Sequence, residues 1–174
     1  MKRGLGLALA LCCLSPLAGA QDNNLRFTGA LVAEPCVIPP GQEEIELNFG
    51  SVVDKYLYLN QRTPGAPFEI VLADCDLSLG KTVTVTLSGN ESAALPGLLA
   101  PAPGSQAAGI AIGLETREGK KVSINRPADK FSLASGANGI RLQAYVRAEP
   151  EAIAQKALVR GAFSAVATFS LEYE

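Results

Sequence analysis

The last fourteen residues, Gly161-Ala-Phe-Ser-Ala-Val-Ala-Thr-Phe-Ser-Leu-Glu-Tyr-Glu174, constrain this chain more than any other stretch. Phe163, Ala165, Ala167, Phe169, Leu171 and Tyr173 fall at every second position, the period of a strand with one apolar face. The pattern predicts a strand from Gly161 to Tyr173, with no turn after it. A second alternating run, Leu25, Phe27, Gly29 and Leu31, lies near the other end. One-sided strands at both ends offer surfaces that another molecule can complete. That points to assembly rather than catalysis.

The first twenty residues read as a secretory signal peptide. Lys2 and Arg3 give a basic start, Leu5 to Leu14 is a short apolar run, and Ala18-Gly19-Ala20 is a small-residue cleavage site. The run is too short to span a bilayer. It contains Cys12 and Cys13, which leave with it. Removing residues 1–20 leaves one domain-sized chain and takes the formal charge from −2 to about −4. Mild acidity argues against nucleic acid, which calls for a basic face.

Cys36 and Cys75 remain. Two cysteines in an exported chain imply one disulfide. Its loop of about 40 residues gives a stabilisation of roughly 4 kcal/mol in the chain-entropy picture.

Strand signals dominate the interior. Phe68 to Ala73 runs into Cys75, and Lys81 to Leu87 alternates valine with threonine before a Gly89-Asn90 turn. Gly109 to Glu115 is another strand. Arg117 to Lys120 reads as a hairpin turn before Val122 and Ile124. From Ile140 to Arg147, Ile140, Leu142, Ala144 and Val146 are predicted inward. Pro96 to Gly104 reads as loop. Glu149 to Val159 reads as a loop or a short helix. Short strands with regular turn signals argue for an all-β sandwich.

Little in the chain suggests chemistry. It has no histidine, the commonest general base and metal ligand. No serine sits in a nucleophile-elbow context. Asp74 and Asp76 flank Cys75 as solvated strand-end residues, and Lys120-Lys121 reads as a solvated turn. Tyr56 and Tyr58 alternate with Leu57 and Leu59, a pattern that fits packing or ligand contact equally. No enzymatic activity, cofactor or metal is expected.

Taken jointly, these residues resemble the type 1 pilin family, the structural subunits of chaperone–usher fimbriae of Gram-negative bacteria. Three features carry the resemblance. Asn23 to Leu31 followed by Glu34-Pro-Cys36 is similar to the family's N-terminal extension and first cysteine. Phe68 to Asp76 is similar to its second-cysteine strand. Gly161 and Tyr173 match a glycine fourteenth from the end and a penultimate tyrosine.

The resemblance implies an all-β, incomplete immunoglobulin-like sandwich lacking its last strand. A donor strand from a chaperone or a neighbouring subunit would complete it. It divides the chain into a signal peptide (1–20), a donor-strand extension (21–33) and a pilin domain (34–174). Donor positions would be Asn23, Leu25, Phe27, Gly29 and Leu31, every second residue, with Gly29 where the groove is shallow. Gly161, Phe163, Ala165, Ala167, Phe169, Leu171 and Tyr173 would wall the acceptor groove and meet the chaperone.

Implied partners are a periplasmic pilus chaperone, an outer-membrane usher and neighbouring pilins in a head-to-tail polymer. The implied location is a fimbrium on the bacterial surface, reached through the periplasm. A host glycan or receptor would be met only indirectly, through a tip adhesin.

The competing expectation is a self-complete secreted β-sandwich that binds carbohydrate or acts as an adhesin. Absence of tryptophan, common in carbohydrate sites, weighs against it, as does the donor-like run Leu25 to Leu31.

Overall fold

Among the described residues, seven strands and two short helices follow in the order α1 (Asp54–Asn60), β1 (Ala66–Cys75), β2 (Thr82–Gly89), β3 (Ile110–Thr116), β4 (Lys121–Val122), β5 (Pro127–Ser132), β6 (Gly136–Ala148), α2 (Pro150–Ala154) and β7 (Ala167–Tyr173). The computed structural model describes residues 31–174. The strands form two sheets, β1-β6-β3-β4 and β5-β2-β7. Every strand pairing is antiparallel. Ala33–Glu174 packs as one compact unit.

The core lies between the sheets, where alternating side chains meet. On β6, Ile140, Leu142, Ala144 and Val146 are all buried, as their period predicts. On β1, Ile70 and Leu72 are fully buried, and on β2 so are Val83 and Val85. The hairpin at Arg117 to Lys120 is present, with Leu114 opposite Val122. Glu149 to Val159 contains one short helix, α2, with Pro150 at its start.

The tyrosine–leucine alternation at residues 56–59 belongs to a helix rather than a strand. Leu57 is buried, Tyr56 and Leu59 are exposed, and the Tyr58 hydroxyl accepts the Leu158 N–H at 3.1 Å. The two tyrosines therefore differ: Tyr58 packs, and Tyr56 faces solvent. Gln61 ends α1 in the left-handed conformation, its N–H bonded to the Leu57 carbonyl.

Strand β5 has no counterpart in the sequence pattern. It starts with Pro127 and carries Asp129 and Lys130, as suits an edge strand. A register shift opposite Thr84–Thr86 spaces Ala128 and Phe131 three apart, which breaks the two-residue period.

Cys36 and Cys75 form a disulfide. Both are buried. Around it, Val37 and Ala73 exchange backbone hydrogen bonds of 2.9 and 2.8 Å, and the Asp76 N–H donates to the Pro35 carbonyl. The bond thus ties the segment before the sandwich to the end of β1. Cys75→Ser should cost at most about 4 kcal/mol and lower the folded yield. Alkylation followed by mass spectrometry should find no free thiol in wild-type protein.

Arg62 anchors the outer side of the larger sheet. Its guanidinium donates to both Glu115 carboxylate oxygens, at 2.8 and 2.7 Å, and sits 3.5 Å over the Tyr145 ring. The hydrogen bond from Arg62 holds the Glu115 carboxyl below its ordinary value, against the opposing effect of burial. A depressed carboxylate adds stability above its unfolded-state value, and that stability is lost as pH falls through the folded one. Arg62→Met should leave Glu115 buried and unpaired, at a cost of about 2–3 kcal/mol near neutrality. Denaturation midpoints of the variant and wild type should converge in acid.

Candidate functional site: an unpaired apolar edge

Strand β7 is half of the site. It pairs with β2 along one side only, from Val83 opposite Tyr173 to Gly89 opposite Ala167. Among the described residues its other side has no strand partner, so alternate backbone N–H and C=O groups point outward. Leu171 and Phe169 lie opposite the buried Val85 and Leu87, on the inner face.

Burial alternates without a break from Phe163 to Tyr173. Phe163, Ala165, Ala167, Phe169, Leu171 and Tyr173 are each half-buried against the core, and the residues between them are exposed. Half-burial is the telling feature, because a finished core strand would be covered. Burial raises the Tyr173 phenol above its ordinary value, with Glu34 adding to the effect. The ring therefore stays neutral at physiological pH.

The expected strand from Gly161 to Tyr173 is regular only from Ala167 onward. Residues 161–166 run beside the loop 102–107 instead. Gln106 N–H donates to the Ala162 carbonyl at 2.7 Å, and Ala102 N–H donates to the Ser164 carbonyl at 2.7 Å. Gly161 is exposed and lies outside the apolar face. Its φ is +151°, and a Cβ there would stand 2.4 Å from the Gln106 Cβ. The position demands glycine for its backbone angle and its close approach to Gln106. Gly161→Ala should cost about 1–3 kcal/mol through strain and overpacking, measurable as a lower thermal midpoint.

The second half of the site is a segment the sequence reading passed over. Ile45, Leu47 and Phe49 are half-buried against the same core, and Glu44, Glu46 and Asn48 between them are exposed. This is strand-like alternation without a ladder. Among the described residues, 43–50 make no backbone–backbone hydrogen bond. The signal was present in Ile45-Glu-Leu-Asn-Phe49, a clean two-residue period.

The two edges belong together. Phe49 and Phe163 bring their ring centroids within 6.2 Å at one end. Between β7 and residues 45–49 there is no mutual backbone bond. Among the described residues, two backbones without a strand partner, each with half-buried apolar side chains, thus come together at Phe49 and Phe163. An extended apolar peptide laid along such an edge would pair with free backbone groups and cover the half-exposed side chains.

The proposed donor residues Asn23, Leu25, Phe27 and Gly29 lie outside the described residues, and Leu31 is the first of those described. Asp74 and Asp76 are exposed, and Asp76 accepts the Ser78 N–H in a local turn. Lys120 pairs with Asp129, and the Lys121 ammonium donates to the Pro96 carbonyl. Among the described residues no His, Cys, Asp and Glu cluster is arranged to hold a metal.

Solved pilus subunits share this two-sheet, immunoglobulin-like sandwich. The chain superposes on the P pilus rod subunit PapA with a TM-score of 0.69 at 25% identity, covering 81% of this chain and 100% of that one. A subunit in the structure of a chaperone–usher pilus gives 0.70 at 25% identity, covering 92% and 100%. The chain belongs to the fimbrial protein family, whose pattern it matches over residues 25–174. Among its relatives, the fimbrial-like protein YfcP of Escherichia coli is 33% identical over 96% of this chain and 92% of that protein. The fimbrial adapter PapK of E. coli is 33% identical over 99% of each. The fimbria A protein of Serratia marcescens is 30% identical over 97% and 94%.

Proposed function

We propose that this chain is a structural subunit of a surface fimbria, built by the chaperone–usher pathway through donor-strand exchange, and that it supports cell adhesion as part of the fibre. In this reading residues 1–20 direct export, 21–33 form the donor strand and 34–174 form the pilin domain. A periplasmic chaperone lends a strand to the open edge. At the outer-membrane usher, a neighbouring subunit's residues equivalent to Asn23, Leu25, Phe27, Gly29 and Leu31 replace it. The fibre then stands on the surface of a Gram-negative bacterium.

The observation that carries this reading is the pair of edges that have no strand partner among the described residues, β7 and residues 45–49, each with half-buried apolar side chains. A self-complete carbohydrate-binding sandwich would have no reason to leave alternating apolar side chains half-covered along both. Family membership supports the same reading.

Expression of the mature chain with and without its cognate chaperone tests it. With the chaperone, a soluble one-to-one complex should accumulate in the periplasm. Without it, the chain should aggregate or be degraded. A chain that stays soluble, monomeric and folded alone would favour the self-complete sandwich.

A further inference from the structure

A cleft of about 140 Å³ opens between the β3–β4 turn and the start of β5. Lys120, Lys121 and Arg126 line it, together with Thr116 and Ser123. Asp129 is the one carboxylate in the lining, and it pairs with Lys120. The Lys121 ammonium donates to the Pro96 carbonyl at 2.8 Å, a neutral acceptor that leaves its charge in place. Among the described residues, neither Lys121 nor Arg126 has an ion-pair partner.

These groups stand on fixed backbone. Asn125 adopts the left-handed conformation, with φ of 62°. Its N–H donates to the Leu87 carbonyl at 2.8 Å, and its side-chain amide exchanges two bonds of 3.0 Å with the Gly89 backbone. Arg126 follows directly and is exposed. A Cβ added to Gly97 would stand 2.7 Å from the Lys121 Nζ and 2.9 Å from the Ser123 Oγ. The ammonium and the hydroxyl therefore close on the same spot.

Charge and size define what could enter. Three cations against one carboxylate leave the lining at +2, and Arg117 and Glu118 of the adjoining turn offset each other. That is a local reversal in a chain of formal charge −2. Two ammonium groups, a guanidinium and two hydroxyls suit a tetrahedral anion better than a planar carboxylate. The volume admits one such group, with the alcohol it esterifies left outside. A phosphate monoester carries close to two negative charges at neutral pH, which matches the lining. A sulfate ester carries one.

We propose that this cleft binds the phosphate monoester group of an exposed ligand, a phosphorylated saccharide or a lipid headgroup. The site is independent of strand exchange. In the sheet β5-β2-β7, β5 is the edge away from β7, so a strand added beside β7 leaves the cleft open. The subunit itself would then meet a ligand, where the family resemblance places such contacts at the tip. Because the cations are exposed, one site binds weakly and is screened by salt.

The pH dependence supplies a signature. The chain has no histidine, the side chain that ordinarily titrates between pH 5 and 8. The phosphate monoester does titrate there, with its second pKa near about 6. Binding should therefore be full above that value and lost as pH falls through it, about tenfold by pH 5. A sulfate ester has no such step.

The test is retention of the soluble mature chain, chaperone-bound or free, on beads that carry phosphoethanolamine through its amine. Wild type should be retained at low salt and about pH 7.5, and released about tenfold more readily at about pH 5. Arg126→Gln should weaken retention roughly fivefold, and Arg126→Lys should restore most of it. Lys55→Gln removes the same charge from the exposed face of α1, outside the cleft, and should change nothing. The chaperone is common to all the complexes, so differences between variants report the subunit. Glucose 6-phosphate and phosphatidic acid vesicles, applied separately, distinguish the two sources, and glucose 6-sulfate should elute poorly. Failure of wild type to be retained, or elution by neither phosphate ligand, would overturn the site. So would equal losses in Arg126→Gln and Lys55→Gln, which would reduce the effect to overall charge. Elution by glucose 6-sulfate as readily as by glucose 6-phosphate, with no change at pH 5, would overturn the assignment to a phosphate monoester.

Discussion

Deleting Phe169 to Glu174 should abolish accumulation of the chaperone-bound subunit. The deletion removes most of the β2–β7 ladder, from Val83–Tyr173 to Leu87–Phe169. It uncovers Val83, Val85 and Leu87, which are otherwise buried. It also removes one of the two edges that a lent strand must pair with. Single substitutions should grade the effect. Full burial would make Phe169→Ala cost 3–5 kcal/mol, and half-burial brings this to about 2 kcal/mol in the uncomplemented subunit. In the fibre, with the edge covered, the cost should approach the full value. Val166 is 75% exposed on the opposite phase, so Val166→Ser should change nothing. Immunoblots of periplasmic extracts with the chaperone co-expressed would measure all three. Wild-type levels of the truncated chain would sink the open-edge account. So would a Val166→Ser defect as large as that of Phe169→Ala.

What the sequence revealed, and what it hid, follows from how each element meets the core. Segments that turn one apolar face to the core wrote their period plainly: Ile140 to Val146 on β6, Phe68 to Leu72 on β1, and Phe163 to Tyr173. Strand β5 was illegible because its irregular register spaces Ala128 and Phe131 out of phase. Helix α1 was illegible because seven residues give too few turns for a helical period to emerge from Tyr56-Leu-Tyr-Leu59. Residues 161–166 kept the alternation of burial but not the ladder, since side-chain period does not report which backbone supplies the hydrogen bonds. The missed half of the groove is different in kind. Ile45, Leu47 and Phe49 had the right period, but five residues were too short to stand alone. Only their packing beside β7 gives them a role.

Removing residues 21–32 should separate folding from assembly. The extension is expected to act in a neighbour's groove, so the shortened chain should still form its chaperone complex with unchanged yield. It should accept a donor strand and be unable to provide one, so fibres should stop at the copy that carries the deletion. Gly29→Leu is the single-residue version. A leucine side chain at the shallow point of the groove that the resemblance implies would overpack it. Overpacking of that kind costs about 1–3 kcal/mol. At about 1.4 kcal/mol per factor of ten, donor affinity should fall roughly 5- to 150-fold. Synthetic peptides of residues 21–32 give the readout. Wild-type peptide should displace the chaperone from an acceptor subunit within the assay, and the Gly29→Leu peptide should do so far more slowly or not at all. Phe27→Ala, which shortens rather than enlarges, should weaken displacement without blocking it. Equal displacement by the wild-type and Gly29→Leu peptides, or wild-type fibre length from the shortened chain, would show that residues 21–32 are not the donor strand.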